Sequence, residues 1–341
     1  MFKTRDEYRA AWDAAYTTDP AVPLCVDLEL ASVCNAKCSF CLYGDRDWRD
    51  GMTDSDWDGK PKRRFMPTAI ALRIIDECAA IGVPSLKFNF RGESVLHRDY
   101  SRIVQYAASK IHDPEGWARF GVLASGEAGK PKFHDLLVNT NGNAPATAID
   151  GLMAATKVMV SLDSMDPAIY AKVRVGLSLP KAQATIDELV RRGHPDVWVR
   201  RVVCRDNASE DFSKAVYARW PKGVKVSEHY AFDRNHYQNE ALHDEDTSQW
   251  ERTYCGYPSQ RVVIESSGRM VPCCIAWEGE LTGGFYPALS IMEYWNSDWR
   301  KRLATDLRAG KFSSPKCQNC TSFMAYNRPE RAKVQDIEVK A

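Results

Sequence analysis

Between residues 24 and 232 the apolar positions alternate between two rhythms. Short runs rich in Val, Ile, Leu and Phe, at 24–30, 85–90, 135–140, 157–162, 196–203 and 224–232, read as β-strands. Between them, at 68–82, 99–111 and 179–193, apolar residues recur at three- and four-residue spacing, the pattern of a helix with one buried face; Gly193 is a plausible stop for the last. Six βα-type repeats in a row predict an α/β fold, a parallel sheet covered by helices that is either open or curled into a partial barrel.

Two stretches break this rhythm. Residues 44–64 are rich in Asp, Gly and charge and contain Trp48 and Trp57, and residues 112–132 are longer than an ordinary connection. Loops of this length are uncommon unless functional or mobile, so each reads either as a cover over a substrate at the sheet rim or as a disordered insertion. After residue 233 a polar bridge leads into "QRVVIESSGRMVPCC", a β-hairpin turning at Ser267 and Gly268. A single helix is expected over 290–310, followed by "KCQNC". The organisation expected is therefore a main domain over 1–235, a small cysteine-rich hairpin and helix module over 236–325, and a charged tail over 326–341.

Charge narrows the partners. A net charge of +1 with 27% charged residues gives no electrostatic argument for nucleic acid or an anionic membrane. The polar N-terminus lacks the apolar core of a signal peptide, and no run approaches the roughly 20 apolar residues that span a bilayer, so a cytoplasmic protein is expected. In that setting eleven cysteines point to metal or redox chemistry rather than a disulfide framework. Seven fall into two groups: Cys34, Cys38 and Cys41, then Cys255, Cys273, Cys317 and Cys320. Cys25, Cys78 and Cys204 read as small buried apolar residues.

The first group, "CNAKCSFC", offers three thiolates where a structural zinc wants four ligands, and no histidine follows before His97. A four-iron cluster on three thiolates keeps one iron open to a substrate or cofactor. The loop follows the first strand, at the sheet edge where parallel α/β folds collect their ligands. "RGE" (91–93), "NTNG" (139–142) and "SLDS" (161–164) follow the next three strands at the same edge.

C-x3-C-x2-C after a first strand, with Phe40 before the last cysteine, resembles the radical S-adenosylmethionine family, and the glycine–glutamate, "TNG" and "SLD" turns follow in that family's order. The resemblance covers about residues 24–232. It implies a partial (β/α)6 barrel of TIM-like type and a [4Fe–4S] cluster on Cys34, Cys38 and Cys41, whose open iron binds S-adenosylmethionine. Gly92 and Glu93 would meet the methionyl amino group, with Arg91 in place of the first glycine of the usual pair. Phe40 would pack near the adenine, Ser161 and Asp163 would face the ribose, Arg174 would reach the carboxylate, and Asn141 would support the pocket from behind. Ser161, Asn141 and Arg174 read equally well as cap or turn residues. A reducing partner such as flavodoxin or ferredoxin is implied as well.

For the second group, spacing alone leaves an all-thiolate zinc site and a fully ligated cluster both open. C-x12-G-x4-C, an intervening helix and a final C-x2-C resemble the auxiliary-cluster region called SPASM. No cysteine follows Cys320, which implies one auxiliary [4Fe–4S] cluster, as in the shortened form called Twitch. Cys274 is an alternative to Cys273, though the spacing from Gly268 favours Cys273. A cluster without an open iron suits electron transfer. The expected function is thus a radical oxidoreductase acting on a small polar substrate: a sugar, cyclitol or nucleotide-like alcohol. A peptide-modifying maturase is the alternative, disfavoured because about two dozen residues before the first strand leave no room for a peptide-binding domain. A structural zinc protein is the third reading. His229, Tyr230 and Asp233, near strand ends, are candidates to move a proton, whereas His97 reads as structural.

Overall fold

The computed structural model describes residues 2, 4–41, 65–110, 133–230, 254–277, 279–318 and 320, with the side chain of Tyr230 excepted. Trp48, Trp57, the 112–132 stretch, Asp233 and the tail from 326 lie outside these residues. The six expected strands form at Cys25–Leu28 (β1), Ser85–Lys87 (β2), Asp135–Thr140 (β3), Lys157–Ser161 (β4), Val197–Val203 (β5) and Lys225–Tyr230 (β6). Each pairs in parallel with the next, and the register sets Val26 beside Leu86, Leu86 beside Leu136, and Val158 beside both Val138 and Val197. Side chains alternate across a strand, so this register lays the apolar residues on one face.

Helices Arg5–Ala14 (α1), Thr68–Ile81 (α2), Tyr100–Ala108 (α3), Ile149–Ala154 (α4), Pro167–Val173 (α5), Leu179–Arg191 (α6) and Phe212–Arg219 (α7) run alongside. Ile74, Ile75, Ile103, Val104, Ile186 and Leu189 join the strand residues in one buried core. The helix ends follow local chemistry. Ser178 caps α6 through the amide of Lys181, and Gly193 follows its last turn at φ 74°, as expected of a stop.

The C-terminal segment continues the same sheet. After a short turn of helix at Tyr257–Gln260 (α8), strand Arg261–Ile264 (β7) pairs in parallel with the free edge of β1. Arg269–Val271 (β8) and Gly284–Phe285 (β9) then add antiparallel strands, giving nine in the order β6-β5-β4-β3-β2-β1-β7-β8-β9. The sheet is mostly parallel and does not close on itself.

The single helix expected over 290–310 is instead two, Ile291–Asn296 (α9) and Asp298–Arg308 (α10). Ser297 leaves helical geometry (φ −61°, ψ 142°), and its hydroxyl caps α10 at the amide of Arg300. A serine that can satisfy a free amide competes with continuation of the first helix. A last turn, Pro315–Gln318 (α11), carries Cys317. Among the described residues no helix is long and apolar enough to cross a membrane.

Candidate active site

Beyond β1 the chain enters the three-cysteine loop. The turn after α5 holds this loop: the amides of Lys37 and Ser39 donate to the carbonyls of Val175 and Val173, at 2.8 and 3.1 Å. Cys41 closes a tight turn onto the carbonyl of Cys38 at 3.0 Å. Burial, and then the nearby carboxyl of Glu93, push the Cys34 thiol up to about 12. Burial also pushes Cys38 up, against the pull of Arg174. Thiols so placed hold their protons until a metal displaces them.

The glycine–glutamate turn after β2 packs directly on the start of this loop. A Cβ on Gly92 would lie 2.3 Å from the carbonyl oxygen of Ala31 and 2.7 Å from that of Val33, and its φ is +63°; only glycine fits. The closeness lets the Glu93 amide donate to Val33 at 2.7 Å. Glu93 Oε2 accepts from the amide of Asn141 at 2.7 Å, while Oε1 is buried with no hydrogen-bond partner among the described residues. Burial raises this carboxyl to about 7. Asn141 Nδ2 donates to Asn35 Oδ1 at 2.7 Å and reaches Cys34 Sγ at 4.0 Å, so the turn after β3 supports the cysteine loop.

Asp163, after β4, has φ 66°, the sole positive φ outside glycine among the described residues. Both its oxygens are committed: Oδ1 accepts from the amide of Val202 at 2.6 Å, and Oδ2 accepts from Arg174 Nε. Asn207, which the sequence pattern does not single out, locks the strained turn by donating to the carbonyls of Asp163 and Val202 at 3.0 and 2.9 Å. Asp163 thereby anchors Arg174, whose Nη1 donates to Cys38 Sγ at 3.3 Å. Burial opposes the guanidinium charge, but Asp163 and Cys38 more than offset it and hold Arg174 protonated. Phe40 packs against Val173 and Cys204 with the guanidinium 5.3 Å from its ring centre. Ser161 ends β4 on the face opposite the helices.

The second cysteine group gathers beneath the hairpin. Cys255, Cys273 and Cys317 pack in one apolar cluster with Val263 and Val271, and Cys320 follows in a turn whose amide donates to the Cys317 carbonyl at 3.4 Å. Burial, with Cys274, Cys320 and Cys255 nearby, pushes the Cys273 thiol well up. Cys274 lies beside Cys273 and its charge is also felt by Lys87 and Arg261, on the side of β1 and β2.

Phe90 and Trp277 lie between the two groups. Trp277 packs against Cys34, Cys41 and Phe90, and Phe90 also packs against the apolar cluster of the second group. The two rings meet edge to face at 6.3 Å. Beneath them sits a buried ionic network whose members are far apart in sequence. Arg91 pairs with Glu29 at 2.8 Å and Glu265 at 2.6 Å, and Arg269 pairs with Glu265 at 2.7 Å. Arg91 and Arg269 both donate to the carbonyl of Trp277, at 3.2 and 2.9 Å. Arg91, a departure from the usual glycine, is therefore the residue that ties the loop after β2 to the hairpin.

His97 is structural: its Nδ1 accepts from the amide of Asp99 at 3.0 Å, leaving Nε2–H to donate to the carbonyl of Met66 at 2.8 Å. His229 accepts from Arg200 on the neighbouring strand. Cys25, Cys78 and Cys204 are buried, as expected of apolar residues. The donors fit iron–sulfur clusters. One set of three thiols stands beside a carboxylate oxygen with no partner among the described residues, and three of the second set of four, Cys255, Cys273 and Cys317, pack in an apolar bed.

Comparison with known proteins agrees with this geometry. The model of the radical SAM superfamily matches residues 28–216, and that of an iron–sulfur cluster-binding domain, SPASM, matches 255–321. GTP 3',8-cyclase 1 of Mycobacterium tuberculosis is 24% identical over 183 residues, covering 52% of this chain and 44% of the relative. GTP 3',8-cyclase of Vibrio atlanticus is 22% identical over 229 residues, covering 64% of this chain and 60% of the relative. The chain thus spans less than two thirds of either relative. Among solved structures, BtrN in complex with AdoMet and 2-DOIA aligns at TM-score 0.52 and 14% identity, over 89% of this chain and 94% of that one. Streptococcus suis SuiB bound to precursor peptide SuiA aligns at 0.60 and 13%, over 92% and 73%. Both share the fold.

Proposed function

Because this chain belongs to the radical SAM superfamily, we propose that it is a radical oxidoreductase that removes hydrogen from a small polar substrate and delivers the substrate's electron to an auxiliary cluster. Its cofactors are S-adenosylmethionine and iron–sulfur clusters. When bound, they supply the 5′-deoxyadenosyl radical that takes the hydrogen atom and a sink for the remaining electron. The protein's residues prepare the place. Cys34, Cys38 and Cys41 would hold one cluster, and Glu93 Oε1, buried without a partner among the described residues, would accept from the ammonium of the methionyl group. Arg174 steadies the charge on Cys38, and Asn141 braces the loop. Phe40 and Ser161 line the adenosyl side. Cys255, Cys273, Cys317 and Cys320 would hold the second cluster.

One observation supports the oxidative reading: Trp277 packs against Cys34 and Cys41, and Phe90, in contact with it, packs against the apolar cluster of the second group, so contacting side chains join the two cysteine groups. A peptide substrate is the second reading, supported by SuiB, whose structure holds a precursor peptide on a similar fold. The test is anaerobic reconstitution with iron counting and an assay for 5′-deoxyadenosine. About eight irons per chain are expected, falling to about four in Cys255→Ala. Zinc retained under these conditions, with no cleavage of S-adenosylmethionine, overturns the reading.

A further inference from the structure

The sheet face opposite the helices carries polar groups that the cysteine chemistry leaves unused. Leu86 and Phe88 belong to the core under the helices, so Lys87 and Asn89 face the other way. Val138 and Val199 likewise send Asn139 on β3 and Arg200 on β5 to that face. The parallel register places Lys87 between Asp27 and Leu137, and Arg200 beside Ser161.

These groups are incompletely satisfied. Lys87 makes no hydrogen bond or ion pair among the described residues. Its neighbour Asp27 is already taken, by Arg261 at 3.0 Å and by the thiol of Cys25 at 3.2 Å. Burial weakens the ammonium's hold on its proton, Asp27 restores part of it, and Arg261 and Arg200 add to the loss. Asn89 Oδ1 and Asn139 Oδ1 are buried and accept from nothing among the described residues. Among the described residues, a cation that makes no ion pair and two carboxamide oxygens without donors occupy adjacent strands, and buried polar groups normally find partners.

We propose that Lys87, Asn89 and Asn139 recognise the substrate, and that this substrate is a small hydroxyl-bearing molecule carrying a carboxylate or a phosphate. Lys87 pairs with the anionic group, and the two carboxamide oxygens accept hydrogen bonds from substrate hydroxyls. Arg200, a second cation on the same face, reinforces the preference for negative charge. The proposal rests on the radical reading only for the chemistry after binding; binding itself is measurable without turnover.

The test is calorimetric titration of the reconstituted full chain with glucose 6-phosphate, glucuronate and glucose. At least one of the two anions should bind at least about tenfold tighter than glucose, the scale of one charge-assisted hydrogen bond. The ratio between them tells phosphate from carboxylate. Lys87→Met should abolish the preference and Lys87→Arg should keep it. Asn139→Asp, which sets a like charge beside the anion, should weaken both anions relative to glucose. Equal binding of all three sugars overturns the proposal, as does a preference that survives Lys87→Met, or no binding of either anion up to about 10 mM. Iron content and 5′-deoxyadenosine, read on the same samples, report separately on the radical chemistry, so either reading can fail alone.

Discussion

Replacing Glu93 with Gln separates what this side chain does for the ligand from what it costs the fold. In the ligand-free protein Oε2 is held by Asn141 and Oε1 has no partner among the described residues. Burial is the largest influence, and it raises the carboxyl from 4.5 to about 7 despite the opposing hydrogen bonds. The folded value is the higher one, so folding favours the protonated form. The associated stability is fully present below 4.5 and is lost as pH rises through about 7. Each pKa unit corresponds to about 1.4 kcal/mol, so the loss above neutrality amounts to about 3 kcal/mol. Glutamine carries no charge to bury, but its amide hydrogens at the Oε1 position lack acceptors and cost about 1 kcal/mol. Glu93→Gln should therefore stabilise the ligand-free protein by about 2 kcal/mol at pH 8 and give no gain at pH 4.5. Urea denaturation of the reduced full chain across that range measures the difference. The same substitution should weaken S-adenosylmethionine binding at least about tenfold, because a neutral amide replaces the carboxylate that meets the ammonium. A stability difference independent of pH, or unimpaired binding, would refute the reasoning.

The geometry sets three further outcomes. Arg91→Met leaves Glu29 and Glu265 buried with less compensation and should cost about 3–5 kcal/mol in denaturant unfolding. Gly92→Ala forces a Cβ to within 2.3 Å of the Ala31 carbonyl at a left-handed φ; it should destabilise by more than about 1 kcal/mol, and S-adenosylmethionine titration should show weaker binding. Cys274→Ser should leave the iron count at about eight whereas Cys273→Ser drops it to about four, by colorimetric iron assay.

The sequence announces those parts of the site whose chemistry is local. Cysteine spacing marks both thiol groups, and alternating apolar residues mark each strand that carries a turn, β3 at its observed ends. What it hides depends on distant partners. Arg91 looks like a lapse in a glycine pair until Glu29 and Glu265 are seen beside it. Asp163 looks ready for a ribose, yet its positive φ and its bonds to Val202 and Arg174 turn it inward, held by Asn207. Periodicity runs through Ser297 because apolar spacing persists across the break, and only the cap chemistry of the serine marks it. Nor does a hairpin pattern reveal that its first strand pairs with β1, because the partner lies at the other end of the chain.

That pairing also sets a timetable. Val26 pairs with Leu86, 60 positions onward, and with Val262, 236 positions onward. At about 5–20 residues per second the ribosome needs roughly 10–35 s to pass from the first partner to the second. Throughout this interval one edge of β1 is open, a template for pairing with other nascent chains. Trp277, which covers Cys34 and Cys41, emerges later still. The order of synthesis therefore governs when Cys34 and Cys41 are shut in, as well as where.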